Sequence, residues 1–113
     1  MILYGIKNCD SVKKACKFLE QHQLEYNFFD FKKETLTAAL IQSWLKHTSW
    51  EVLLNRRSKT FRELPSAAKI DINAQKAVEL MCEHPTLVKR PVLEGAHGIF
   101  VGFDTATYET LTS

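Results

Sequence analysis

"ILYGIKNCDSVKKACKFLEQHQLEYNFFDF", Ile2 to Phe31, is the stretch whose reading decides the fold. Ile2 to Ile6 is apolar almost throughout, as suits a strand buried on both faces. Val12, Ala15 or Cys16, and Leu19 then recur at helical spacing, while Lys13, Lys14, Lys17 and Glu20 fall on other faces. Leu24 to Phe31 opens with strict alternation and is rich in aromatic residues, so it reads as a second strand. Strand, helix and strand in so short a span make a βαβ unit, whose crossover should be right-handed.

Downstream, Leu36, Leu40, Ile41, Trp44 and Leu45 form one stripe, which predicts an amphipathic helix over Thr35 to His47. A further helical stretch is expected from Ser49 to Asn55, leading into the basic "NRRSK". "FRELPSAAK" reads as a short helix interrupted at Pro65. Asn73 is a natural N-cap for a helix carrying Ala74, Ala77, Val78 and Met81, and Pro85 should stop that helix. "TLVKRPVLE" and "GIFVGF" are expected to be short strands joined around Gly95 and Gly98. A joint that short demands an antiparallel hairpin. Thr105 to Leu111 closes the chain as a helix. The resulting order is β-α-β, a helical middle, then β-β-α. This is the thioredoxin-like order, an α/β single domain over residues 1–113 with a helical insertion at about residues 35–83.

Composition narrows the function classes. The chain has 113 residues and is 45% hydrophobic with seven Phe and two Trp, ample for a packed core. A net charge of +2 gives no electrostatic case for direct nucleic-acid binding. No apolar run suggests a membrane span, and "MILYGIKN" lacks the basic region and cleavage site of a signal peptide. Three cysteines are too few and too odd for a disulfide scaffold, which fits a reducing cytoplasm. His22, His47, His84 and His97 are scattered without ligand spacing, so no metal site is read. Without a heptad or large apolar patch, a monomer is expected.

Cys9 stands where the first strand ends and the first helix begins. A thiol attacks as its thiolate, and a helix N-terminus stabilises an anion through free N–H groups and the macrodipole. Lys7 should help by charge, Ser11 could donate a hydrogen bond, and Asp10 should oppose. The bland alternative is an inert, buried thiol. Cys16 lies two helical turns away, roughly 10 Å along the axis, too far for a disulfide with Cys9 unless the helix opens. Cys16 is expected to pack in the core, and the distance from Cys9 to Cys82 is not legible. An external thiol, for which glutathione is the abundant candidate, is the economical resolving partner.

"LYGIKNCDSVKKA", "LLNRRSKTFREL" and "HPTLVKRPVLE" together resemble the arsenate reductase-like (ArsC/Spx) family of the thioredoxin fold, most of all its small YffB-type reductases. The resemblance covers nearly the whole chain. It implies that Cys9 is the catalytic nucleophile, that Arg57 and Arg90 bind an anionic substrate group, and that Pro91 is a cis-proline beside the cysteine. In this reading Lys7, Ser11 and Pro91 complete the substrate-binding set. Two guanidinium groups would suit an oxyanion or a glutathione carboxylate and would favour the thiolate. Seen alone, Arg56, Arg57 and Lys59 would also pass for an ordinary solvated loop. The implied activity is thiol-dependent reduction with no tightly bound cofactor. Glutathione would be co-substrate, an oxidised or anionic molecule the substrate, and glutaredoxin a further partner.

The chain also departs from its relatives. Family arsenate reductases carry a histidine before the cysteine, where this chain has Gly5 or Ile6. They also have a third arginine near the end of the second hairpin strand, where this chain reads "FVGFD". Spx regulators use C-x-x-C, but the second position here is Val12. A non-enzymatic regulator binding RNA polymerase or another protein is the competing expectation, and arsenate reduction a third.

Overall fold

A computed structural model describes residues 1–96 and 98–112; His97, in the expected hairpin joint, and Ser113 lie outside the described residues. The chain forms two compact units, Met1–Glu34 with Arg90–Ser113, and Thr35–Lys89.

The first unit holds a four-stranded sheet of β1 (Ile2–Gly5), β2 (Asn27–Asp30), β3 (Val92–Gly95) and β4 (Gly98–Val101), in the order β2-β1-β3-β4. β1 and β2 are parallel, with Leu3 opposite Phe28. β3 is antiparallel to both β1 and β4, with Tyr4 opposite Val92 and Val92 opposite Val101. The βαβ half and the antiparallel hairpin therefore form as the sequence predicts.

Helix α1 (Asp10–Gln21) buries Val12, Ala15, Phe18 and Leu19. These side chains join Leu3 and Leu93 of the sheet and Tyr108 in one core cluster. Burying such apolar area, at roughly 25 cal/mol per Å², supplies the main drive for the packing. Phe18 meets Tyr108 edge to face at 5.7 Å, a favoured aromatic geometry. Cys16 is only partly buried, packed against this cluster rather than within it. At the end of α1 Gln23 takes a left-handed φ of 56°, and the Leu24 N–H donates back to the Leu19 carbonyl. That reversal spends Leu24 on capping, so β2 begins at Asn27 rather than at Leu24. On the opposite face of the sheet the buried Tyr4 donates its hydroxyl to Glu94 Oε1 at 2.6 Å. The last helix of this unit, Thr105–Glu109, is capped by Asp104 and runs on into a 3-10 turn, Thr110–Thr112.

The second unit is helical. α2 (Ala38–Trp44), α3 (Trp50–Leu53), α4 (Lys59–Glu63) and α5 (Ala74–Glu83) are each capped by the side chain that precedes them, Thr37, Ser49, Ser58 and Asn73. With that numbering, Thr105–Glu109 is α6. Because Thr37 takes the cap, α2 starts three residues later than its apolar stripe implies. Pro65 separates α4 from a 3-10 turn at Ser66–Lys69, as expected.

"TLVKR" does not join the sheet. Pro85–Leu87 is a 3-10 turn, and Val88 makes a single antiparallel bridge with Leu54. The Lys89 N–H bonds the Leu53 carbonyl, and the Asn55 N–H bonds the Leu87 carbonyl. The segment's backbone groups are thus satisfied by the end of α3, leaving only Val92–Gly95 for the ladder. Among the described residues no helix is long and apolar enough to cross a membrane.

Candidate active site

β1 stops at Gly5, and Ile6, Lys7 and Asn8 carry the chain over to α1. Cys9 is the N-cap of that helix, extended at φ −139° and ψ 125°, and partly buried. At this position a side chain faces the unsatisfied N–H groups of the first helical turn. Its side chain closes no capping hydrogen bond of standard geometry. Burial pushes its pKa up. The Val12 N–H, the hydrogen bond and charge of Arg90, and the Ser11 N–H together outweigh burial, so the thiol sits below its ordinary 9.0.

Topology explains how Arg90 reaches a residue so distant in sequence. β3 runs antiparallel beside β1, and Tyr4 stands opposite Val92. The start of β3 therefore lies at the end of β1, which is the end that delivers Cys9. Arg90 is joined to Pro91 by a cis peptide bond. Pro91 is buried and its carbonyl accepts the Gly102 N–H at 2.8 Å.

The other sequence-predicted residues are placed as follows. Ser11 acts on the sulfur through its backbone N–H. Lys7 is exposed and lines a groove of about 740 Å³ with Val12, Cys16, Tyr26 and Phe28. Its charge is not among those that shift Cys9. Arg57 belongs to the helical unit, where it is exposed and donates its backbone N–H to Asn55 Oδ1 at 3.1 Å. Ser58, next to it, donates its hydroxyl to the Asn55 carbonyl and caps α4.

Sequence reasoning missed the contribution of Val12, whose side chain reads only as core. The signal was available: with Cys9 as N-cap, Val12 is the third helical residue, and its N–H belongs to the unsatisfied set. All three cysteines are free. Burial raises the Cys82 thiol, the opposite of what happens at Cys9.

The chain as a whole has counterparts among known proteins. The solved structure of the YFFB protein superposes with a TM-score of 0.94 at 38% identity, covering 99% of this chain and 98% of that one. An arsenate reductase (ArsC) related protein from Brucella melitensis is 49% identical with a TM-score of 0.76, covering 96% of this chain and 91% of its own. Global transcriptional regulator Spx 2 of Bacillus cereus is 30% identical over 92% of this chain and 80% of its own length. Residues 4–111 match the ArsC family as a whole. The four-stranded thioredoxin-like sheet and this match agree: the chain belongs to the ArsC family.

Proposed function

We propose that the protein is a thiol-dependent reductase in which Cys9 is the nucleophile and glutathione the reducing co-substrate. The observation that carries this reading is the placement of Cys9 as the N-cap of α1, where two helix N–H groups and the Arg90 guanidinium meet its sulfur and favour the thiolate against burial. The Cys9 thiolate attacks the glutathione sulfur of a mixed disulfide. A Cys9–glutathione disulfide forms, and the substrate leaves as a thiolate that takes up a proton. A second glutathione thiolate then attacks the bound glutathione sulfur, freeing Cys9 and releasing glutathione disulfide. In the net exchange the incoming glutathione sulfur is oxidised as the substrate sulfur is reduced, and the glutathione of the mixed disulfide stays at the disulfide level throughout. Arg90 would steady the departing thiolate or a glutathione carboxylate. For Arg57 the support is the family resemblance alone.

A disulfide suits this site better than arsenate, because the family histidine and third arginine associated with arsenate are absent. The test is turnover of a glutathione mixed disulfide with the Cys9→Ser variant. Activity should fall to background, and full activity would end the proposal.

The similarity to a global transcriptional regulator supports a second reading, a regulator, for which the family resemblance supplies RNA polymerase as partner. Val12 stands where the Spx C-x-x-C motif has its second cysteine, which removes a redox switch there. Retention of a polymerase subunit by the Cys9→Ser protein, with no reductase activity in the native one, is the result that would favour it.

A further inference from the structure

Gly5 is buried at the end of β1, directly behind the loop that delivers Cys9. A Cβ built on it would lie 2.7 Å from Val12 Cγ2 and 3.5 Å from Val12 Cγ1. The first distance is far inside carbon–carbon contact, so a methyl group does not fit without movement. Val12 cannot swing away cheaply. It is β-branched, with one strongly preferred χ1 in a helix, and it is 1% exposed in the core cluster with Leu3, Ala15 and Leu93. Any relief must come from lifting the first turn of α1 off the strand.

Val12 is also the residue whose backbone N–H leads the groups acting on the Cys9 sulfur. We propose that Gly5 is a positioning residue for Cys9: its missing side chain sets how closely the first turn of α1 seats against β1. That seating fixes the distance from the Val12 and Ser11 N–H groups to the sulfur. Gly5 touches no reacting atom and acts only through Val12. The inference rests on the reading of Cys9 as the reacting thiol.

The experiment compares the native protein with Gly5→Ala, Val12→Ala and the double variant. Iodoacetamide alkylation is followed across pH, with the Cys9 peptide resolved from Cys16 and Cys82 by mass spectrometry. In Gly5→Ala the Cys9 midpoint should move up, slowing its alkylation at neutral pH by up to about tenfold for each unit moved. Removing the Val12 methyls makes room for the new Cβ. The double variant should therefore recover the Cys9 rate to within about twofold of Val12→Ala, although both lose stability from the cavity. A merely structural glycine would not show acidity rescued while stability stays low.

Unchanged Cys9 titration in a folded Gly5→Ala protein would overturn the inference. So would a double variant that titrates differently from Val12→Ala, a comparison that holds even if Gly5→Ala alone does not fold. An ordinary midpoint in the native protein would instead overturn the reading of Cys9, and this inference with it.

Discussion

At the scale of single residues, the chemistry turns on how many favourable groups meet one sulfur. Burial disfavours the Cys9 thiolate, and two N–H groups and a guanidinium reverse that. Arg90 is the separable part, because its side chain can be changed while the helix stays. Arg90→Met should raise the Cys9 midpoint and slow alkylation at neutral pH several-fold. Arg90→Lys should restore only part of the rate, since an ammonium lacks the planar fork of donors. Equal rates in native and Arg90→Met proteins would remove Arg90 from the site.

The same shift couples to stability. Cys9 has a folded-state pKa below the unfolded one, so it adds stability above the unfolded value, and that stability is lost as pH falls through the folded value. The native protein should accordingly gain stability over Cys9→Ser as pH rises toward 9.0, as read by urea unfolding at several pH values. A difference that stays flat across that window would contradict the assignment. Cys82 should alkylate more slowly than Cys9 at every pH below this window, because burial alone acts on it and raises it.

The elements show where patterning was informative and where it was not. The βαβ half was legible because a strand buried on both faces, a 3.6-residue stripe and an aromatic strand leave distinct periodicities. Boundaries shifted wherever a local hydrogen bond took a residue from the pattern. Thr37 became a cap instead of the first turn of α2, and Leu24 closed the end of α1 instead of opening β2. "TLVKR" has strand composition, but its partners lie at the end of α3, and a pairing between Leu54 and Val88 leaves no periodic trace. Asn73 was read correctly as a cap because its signal is local: the side chain accepts the Lys76 N–H at 2.9 Å. Asn73→Ala should cost about 1 kcal/mol, seen as a lower urea midpoint with unchanged slope. No change in midpoint would mean that α5 is held by packing alone.

For the whole molecule, the fold class could be read from element order, and the family from three motifs that no single periodicity explains. The candidate site was half legible. Cys9 announced itself by standing between strand and helix, but Arg90 looked like any basic residue before a strand until the β1–β3 register set it at the same sheet end. Pairings between residues so distant in sequence are invisible without the fold. The core that holds this register is compact, so Leu19→Ala should cost about 2–5 kcal/mol. It should also loosen the seat of α1, and Cys9 should become less reactive before the protein unfolds. Because the helix, the arginine and the sheet end come together only in the folded chain, the central claim is tested by titrating Cys9 in two states. Alkylation of the Cys9 peptide across pH, in buffer and in concentrated urea, should give a midpoint below 9.0 in the native protein and an ordinary thiol value in the unfolded one. A native midpoint equal to or above the unfolded one would contradict the account.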